Sequence, residues 1–241
     1  MHVRMVGILA AVAMAALAVA CTTKTTVLPP SQEAEGINVS GEGSAFGEPD
    51  VAVLSLGVEA EADSVGEARA QAADAMGKTL AALKDGGVAD EDIQTTRFSV
   101  EPRYNYTQDK QELIGFFVTN VVTAKIRDID KTGELIDAAV TAAGNLTRVE
   151  NLQFTIDDPS ALEEQARQEA MAEARKKAET LAEAASVDLG RPRSISESGG
   201  PQPRAFEGAD YALAQEAGTP IETGELEVLV QVQVVYGLDG E

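Results

Sequence analysis

Few residues of this chain are able to do chemistry. Its 241 residues include one cysteine, Cys21, and one histidine, His2, beside 40 acidic and 19 basic side chains that give a formal charge of −21. His2 and Arg4 lie in a segment that we interpret below as a signal peptide, so the mature chain has no histidine. A catalytic triad, a Cys–His dyad and a structural zinc site all need residues that it lacks. What remains is carboxylate chemistry, hard-metal binding or no catalysis at all.

Residues 1–20 have the pattern of an export signal, because one positive charge precedes an uncharged run that ends at Ala20. The run is shorter than the roughly 20 residues that span a bilayer. Residues 17–21, Leu-Ala-Val-Ala-Cys, resemble a bacterial lipobox, so we expect cleavage between Ala20 and Cys21 and acylation of Cys21. The alternative is an ordinary secretory signal that leaves Cys21 unmodified. Acylation predicts a membrane partner through a lipid anchor, and Thr22, where an inner-membrane retention signal has Asp, favours the outer membrane.

Residues 21–36 are polar and contain Pro29-Pro30, which predicts a flexible tether. Residues 37–241 are enough for one sizeable domain. The strongly acidic charge argues against a nucleic-acid partner, which needs a concentrated basic face. It favours a cationic or peptide partner instead.

Hydrophobic periodicity predicts an α+β fold. Apolar residues alternate over residues 50–62 as in a half-buried strand, and a helix with a Ser64–Glu67 capping box follows to about residue 84. Residues 93–106 and 113–127 resemble a hairpin, a helix capped by Asp130 comes next, and 149–156 return as a strand. This βαββαβ order predicts a ferredoxin-like core, an antiparallel sheet with helices on one face.

Further elements extend this predicted core. They are an N-terminal strand, a long third helix and C-terminal strands. The helix opens at Asp158-Pro159 and carries a narrow apolar stripe, made of Leu162, Ala166, Ala170, Ala174, Ala178, Leu181 and Ala185. Strands are predicted near residues 193–198 and over residues 225–236. The aperiodic segment between them, residues 200–224, has the length of a mobile loop or a binding element.

Two patterns that suggest ligands have simpler interpretations. The glycines of residues 41–47 do not match a dinucleotide loop, because a strand follows where a helix should begin; we interpret them as a kink in the first strand. Acidic clusters at residues 90–92, 128–130 and 157–158 lack the spacing of a calcium loop and are expected to cap and solvate. The sequence therefore predicts neither a metal nor a cofactor.

Aromatic residues concentrate in the predicted hairpin. Phe116 is expected in the core, whereas Phe117 lies on the opposite face of its strand and, with Tyr104 and Tyr106, could line a partner surface. Pairing across the strands or in the core is the alternative interpretation.

Several spaced blocks resemble the SIMPL domain family, over roughly residues 37–237. They are VSGEG at 39–43, IQTTRFSV at 93–100, IRDIDK at 126–131, GELIDAA at 133–139, DPSAL at 158–162, RKKAE at 175–179 and TPI at 219–221. The resemblance implies an exported α+β protein without established catalytic residues, since members are described as periplasmic oxidative-stress defence or immunogenic proteins. It also implies self-association, because some relatives assemble into large ring-like or channel-like oligomers.

These observations predict a non-enzymatic exported lipoprotein of the bacterial cell envelope that forms homo-oligomers and contributes to envelope or oxidative-stress tolerance. One alternative is a periplasmic binding module for a peptide, glycan or cationic ligand, which would use the aromatic hairpin and residues 200–224. A more remote alternative is a carboxylate-based hydrolase with two acids across a cleft.

Overall fold

The computed structural model describes residues 36–107, 110–198, 202–205, 219 and 221–239. Residues 36–241 form one compact unit. Along the chain the described elements are β1 (Ile37–Gly47), β2 (Val51–Ala62), α1 (Val65–Asp85), β3 (Ile93–Thr107), β4 (Lys110–Ile126), α2 (Thr132–Ala143), β5 (Thr147–Thr155), α3 (Ser160–Ala185), β6 (Asp188–Ser198), β7 (Arg204–Ala205) and β8 (Leu226–Asp239). The expected α+β class, with antiparallel sheets and three helices, is confirmed.

The first sheet has the strand order β3-β4-β2-β5, and every neighbouring pair is antiparallel. α1 and α2 pack against each other and against one face of this sheet. The apolar face predicted for β2 is confirmed, because each of its members is at most 1% exposed: Ala52, Leu54, Leu56, Val58 and Ala60. This face and the two helices enclose the first core.

The helix ends follow local signals in one case and not in another. The Ser64 hydroxyl of the predicted capping box accepts a hydrogen bond from the Glu67 backbone N–H and donates one to Glu67 Oε2. The prediction that Asp130 caps α2 is wrong, since Asp130 lies inside a 3-10 turn, Ile129–Lys131, and no side chain caps α2. The turn leads directly into the helix, which leaves Asp130 no place at its N-cap.

The predicted N-terminal and C-terminal strands do not lengthen the first sheet. They form a second sheet, in which β8 lies between β1 and β6 and also pairs with β7. α3 packs on this sheet, and apolar residues of β1, β8 and α3 make a second core. One compact unit therefore contains two sheet-and-helix layers.

Close packing of α3 on β1 depends on the glycines of the first strand. A Cβ added to Gly41 or Gly43 would lie 2.0 Å from the carbonyl oxygen of Ala170 or 2.2 Å from that of Ala166. The expectation of a kink is wrong, because β1 pairs with β8 over its whole length without a bulge. The predicted apolar stripe is correct to Ala178 but then continues at Ala182, because the predicted Leu181 and Ala185 are both exposed. The glycines of β1 and the alanines of α3 therefore allow the backbones of the strand and the helix to make direct contact.

Hydrogen bonds join the two chain segments that cross between the layers, one before β2 and one after β5. The Asp157 backbone N–H donates to Asp50 Oδ1 (2.7 Å), and the Asp50 N–H donates to the Thr155 carbonyl (3.1 Å). Much of the predicted 200–224 loop falls outside the described residues. Its end is fixed, because the Thr219 hydroxyl donates to Asp137 Oδ1 and Ile221 packs against the first core.

Candidate interaction surface

The predicted site residues divide into two groups. Ala20 and Cys21, the expected cleavage and acylation positions, lie outside the described residues. The proposed partner-surface residues Tyr104, Tyr106 and Phe117 lie in the β3–β4 hairpin. The predicted partner surface therefore lies within the described structure, in the β3–β4 hairpin.

The two tyrosines lie together on β3, which is an edge strand of the first sheet. Their ring centroids are 6.3 Å apart with an interplanar angle of 55°. Tyr104 is 38% exposed and Tyr106 is 73% exposed. Gln111, opposite Tyr106 in the neighbouring strand, donates a side-chain hydrogen bond to the Tyr106 hydroxyl.

Phe117 does not join the tyrosines. It pairs with Glu61 on one side and Glu101 on the other, and alternation puts all three on one face of the sheet. Tyr104 and Tyr106 share the opposite face, that of Pro102 and its partner Phe116. The structure therefore brings two of the three predicted residues together.

Other apolar residues continue the tyrosine surface along β3. Phe98 and Val100 have the same alternation, and Leu113 is the cross-strand partner of Tyr104. All three are exposed, Phe98 by 55%. We call this surface the apolar edge, and its members are Phe98, Val100, Tyr104, Tyr106 and Leu113.

The position of the helices leaves the apolar edge uncovered. α1 packs over β2 and β4, and α2 lies toward β5, so β3 extends beyond both helices. Phe98 and Val100 carry the same two-residue alternation as a core strand, and only their place on an edge strand distinguishes them. Ile114 on β4 alternates in sequence with Phe116 and Val118, yet its side chain is exposed, because a bulge shifts the register there.

The opposite face of the first sheet is polar. Arginines and glutamates of different strands pair across it: Arg97 with Glu150, Arg103 with Glu61, and Arg148 with Glu59. The hydroxyls of Ser55 and Thr123 lie 3.3 Å apart on the same face. Because these groups satisfy one another or contact water, this face lacks the apolar character of an association surface.

A cluster of four charged residues lies at the end of β4. Both Asp92 carboxylate oxygens accept from the Arg127 guanidinium, each at 2.9 Å, and Asp157 accepts from Arg127 at 2.7 Å and from Lys125 at 2.5 Å. Hydrogen bonds from Lys125 and Arg127 lower the pKa of Asp157, and the two aspartates raise the pKa of Arg127. Several of the acids expected to cap or solvate are thus ion-paired, and we interpret the cluster as structural.

The described part of the chain contains no group of three or more His, Cys, Asp or Glu residues arranged to hold a metal ion. Nor does any helix described there have the length and apolar character needed to cross a membrane.

Fold and surface together define a class, an α+β protein with two sheet-and-helix layers and an exposed aromatic edge. Residues 37–236 match the family model of SIMPL, described as a protein of unknown function (DUF541). The chain belongs to the SIMPL family.

Similar proteins extend along most of the chain. It is 37% identical over 210 residues to the 26 kDa periplasmic immunogenic protein of Brucella melitensis biotype 1, covering 83% of each sequence. It is 28% identical to the uncharacterized protein YggE of Edwardsiella ictaluri, covering 86% of this chain and 88% of that protein. The YggE protein of Escherichia coli K12 is 28% identical over 159 residues, 66% of this chain and 64% of that protein.

Proposed function

We propose that this chain is a non-enzymatic protein of the bacterial cell envelope that self-associates through the apolar edge. The observation that carries the proposal is the row of exposed aromatic and aliphatic side chains on β3, which neither α1 nor α2 covers. Exposed apolar residues grouped on one surface are typical of interaction sites, whereas scattered ones are ordinary.

The local charge favours a second copy of the chain as the occupant. The whole chain carries −21, so two copies repel each other over most of their surfaces. The face of β3 that carries the apolar edge is an exception, because its residues are uncharged, whereas Arg97, Glu101 and Arg103 alternate onto the other face. Two acidic molecules therefore approach most easily at this strand.

Association through side chains fits β3 better than addition of a strand to its free edge. Pro102 lies in the middle of β3 and has no backbone N–H to donate, so it interrupts a continuous ladder. Tyr104 and Tyr106 offer ring surfaces that bury much apolar area with few rotatable bonds. We infer that the apolar faces of two hairpins pack together.

Two variants test this surface. In residues 22–241, Tyr104→Ser combined with Tyr106→Ser should reduce the association measured by sedimentation velocity to monomer at the concentration where the unchanged chain is oligomeric. Val149→Ser is the matched control, since Val149 is 47% exposed on β5, the other edge strand. Association that survives the tyrosine changes, or is lost equally in the control, would rule out the apolar edge.

Export and anchoring form the second part of the proposal. The signal pattern of residues 1–20 supports export, and relatives named as periplasmic proteins support a periplasmic location. Acylation of Cys21 would hold the domain on the membrane, with the outer membrane favoured. Stable anchoring needs more than one acyl chain, and the cysteine of a bacterial lipoprotein receives two or three.

Anchoring has a direct test in cells. The full chain expressed with a radiolabelled fatty acid should incorporate label and sediment with membranes, whereas Cys21→Ala should remain unlabelled and appear in the soluble periplasmic fraction. Labelling that persists without Cys21, or a soluble unlabelled parent protein, would exclude the anchor.

The absence of enzymatic activity and a role in envelope or oxidative-stress tolerance complete the proposal. Once Cys21 is acylated, the mature chain has no free thiol to reduce peroxide, and it has no histidine to act as a general base. The proposed role is therefore structural. A strain that lacks this protein should lose peroxide tolerance. A copy of the unchanged chain should restore the tolerance, and a copy with Tyr104→Ser and Tyr106→Ser should not. Restoration by both copies would separate the role from assembly.

We also propose that β2, α1, β3, β4, α2 and β5 form a ferredoxin-like core. The strand order β5-β2-β4-β3, the antiparallel pairing and the two helices on one face support this assignment.

A further inference from the structure

A second candidate site lies in the second layer, between the C-terminal half of α3 and strands β6 and β8. It is an open cavity of about 750 Å³, a size that suits a small ligand. Three arginines line it, Arg175 from α3 and Arg191 and Arg193 from β6. This concentration of positive charge is unusual in a chain with 40 acidic residues.

Two of these arginines differ from most other cations of the protein. Most described lysines and arginines lie within 4.0 Å of a carboxylate oxygen, and Arg175 pairs with Glu179 at 2.8 Å. Within the ranges that the structure describes, Arg191 and Arg193 have neither an ion pair nor a side-chain hydrogen bond. Each guanidinium thus keeps its donors available for a ligand.

The floor of the cavity is formed by backbone and one buried ring. Tyr236 is 3% exposed, and the next residue, Gly237, has no side chain to fill the space. A Cβ on Gly237 would lie 2.7 Å from Arg193 Nε, so the arginine lies directly across this glycine. Gly190 is similar, since its Cβ would lie 2.9 Å from Asp239 Oδ1. The acids at the cavity are Asp239 and the already paired Glu179.

We propose that this cavity binds a phosphate group through Arg191 and Arg193. A guanidinium presents a planar fork of donors that fits phosphate oxygens two at a time. Two unpaired cations match the charge of a phosphate more closely than that of one carboxylate. The charge of the whole chain favours a cationic partner, whereas the local positive charge of this cavity favours an anionic ligand.

The position of the cavity identifies a source of phosphate. Ile37, the first residue of β1, pairs with Tyr236 on the cavity floor, so the segment that leads to Cys21 joins the domain beside the cavity. With the chain anchored at Cys21, this end lies nearest the membrane, where lipid headgroups carry phosphate. The choice of a headgroup rests on the proposed anchoring, whereas the phosphate site itself does not. The charge of −21 repels an anionic membrane surface at a distance. The lipid-anchored tether would act against this repulsion and keep the cavity within reach of the headgroups.

The first experiment uses inorganic phosphate and glycerol 3-phosphate as probes. Residues 22–241 contain the whole compact unit and both cores, and are titrated with each probe by calorimetry at low salt. Replacing both Arg191 and Arg193 by Ala should weaken binding at least about tenfold, because the charge-assisted hydrogen bonds of both guanidinium groups are lost. Arg69→Ala is the matched control, since Arg69 is another exposed arginine without an ion pair among the described residues.

The second experiment separates the sources. Vesicles of phosphatidylethanolamine with phosphatidylglycerol are sedimented with each variant. Vesicle binding that is lost with Arg191 and Arg193 identifies a headgroup, whereas probe binding without vesicle binding identifies a soluble phosphate. Circular dichroism confirms that the double variant is folded, which is expected because both side chains are exposed. No probe or vesicle binding by the unchanged chain, or equal binding by the double variant, would overturn the proposal without touching the assembly proposal.

Discussion

Two buried threonines show how much a single polar atom matters in the first core. The Thr79 hydroxyl donates to the Ala75 carbonyl at 3.1 Å, whereas the Thr132 hydroxyl oxygen is buried without a hydrogen-bond partner in the described structure. Both side chains are at most 1% exposed. A buried polar group without a partner costs free energy, and one with a partner costs little.

These two residues make a matched prediction. Thr132→Val should raise the free energy of unfolding by about 1 kcal/mol, because it removes an unpartnered hydroxyl at nearly constant volume. Thr79→Val should not raise it, because the lost hydroxyl was bonded. Urea denaturation of the two variants measures both, and a destabilised Thr132→Val would contradict the assignment.

Asp157 provides a pH prediction at the same scale. Hydrogen bonds from Lys125 and Arg127 hold its folded-state pKa below the ordinary 3.8. Its contribution to stability is therefore complete above pH 3.8 and is lost as the pH falls through the lowered value. Asp157→Asn should lower the urea midpoint slightly at neutral pH, since the pairs are exposed and screened.

The same comparison at acidic pH is the critical one. The difference between Asp157→Asn and the unchanged chain should shrink as the pH falls below 3.8. Asp74→Asn is the control, because among the described residues Asp74 pairs with Lys78 of the same helix and with no other element. A difference that grows on acidification would contradict the assigned sign.

Element by element, the contact between α3 and β1 is the least tolerant of added volume. Ala170 is fully buried against Gly43, where no room exists for a side chain. Ala170→Leu should therefore lower the free energy of unfolding by about 3 kcal/mol, the upper range for overpacking. Ala172→Leu, on the exposed side of the same helix, should change it little. Equal urea midpoints for the two variants would show that α3 does not pack as described.

The elements themselves could be predicted from local pattern, but their assembly could not. Alternation located β2 and the capping box located α1, because both signals lie within a few residues. Membership of the second sheet depends on pairing between β1 and β8, which are nearly 200 residues apart in the chain. Periodicity carries no information about such a partner, so the sequence predicts these strands only as an extension of the first layer.

The apolar edge shows the same boundary for the candidate site. Tyr104 and Tyr106 were predicted because aromatic residues are scarce in this chain. Phe98 and Val100 were not, since their alternation equals that of a core strand, and exposure follows only from the edge position of β3. No sequence pattern singles out Arg191 and Arg193 of the cavity. What distinguishes them is that they have no carboxylate partner within the described residues, and only the fold shows which acids lie near them.

At the scale of the whole molecule, charge and apolar surface act in opposite directions. The formal charge of −21 opposes contact between copies, and the uncharged apolar edge of β3 favours it. Charge repulsion is screened by salt, whereas apolar contact is not. Assembly through the apolar edge should therefore persist or strengthen as ionic strength rises.

Native mass across a range of salt concentrations tests this account most directly. Multi-angle light scattering of residues 22–241 should give a single species of several chains, with a mass that does not fall between low and high salt. A mass equal to one chain at every salt and protein concentration would contradict self-association and remove the function proposed for the apolar edge.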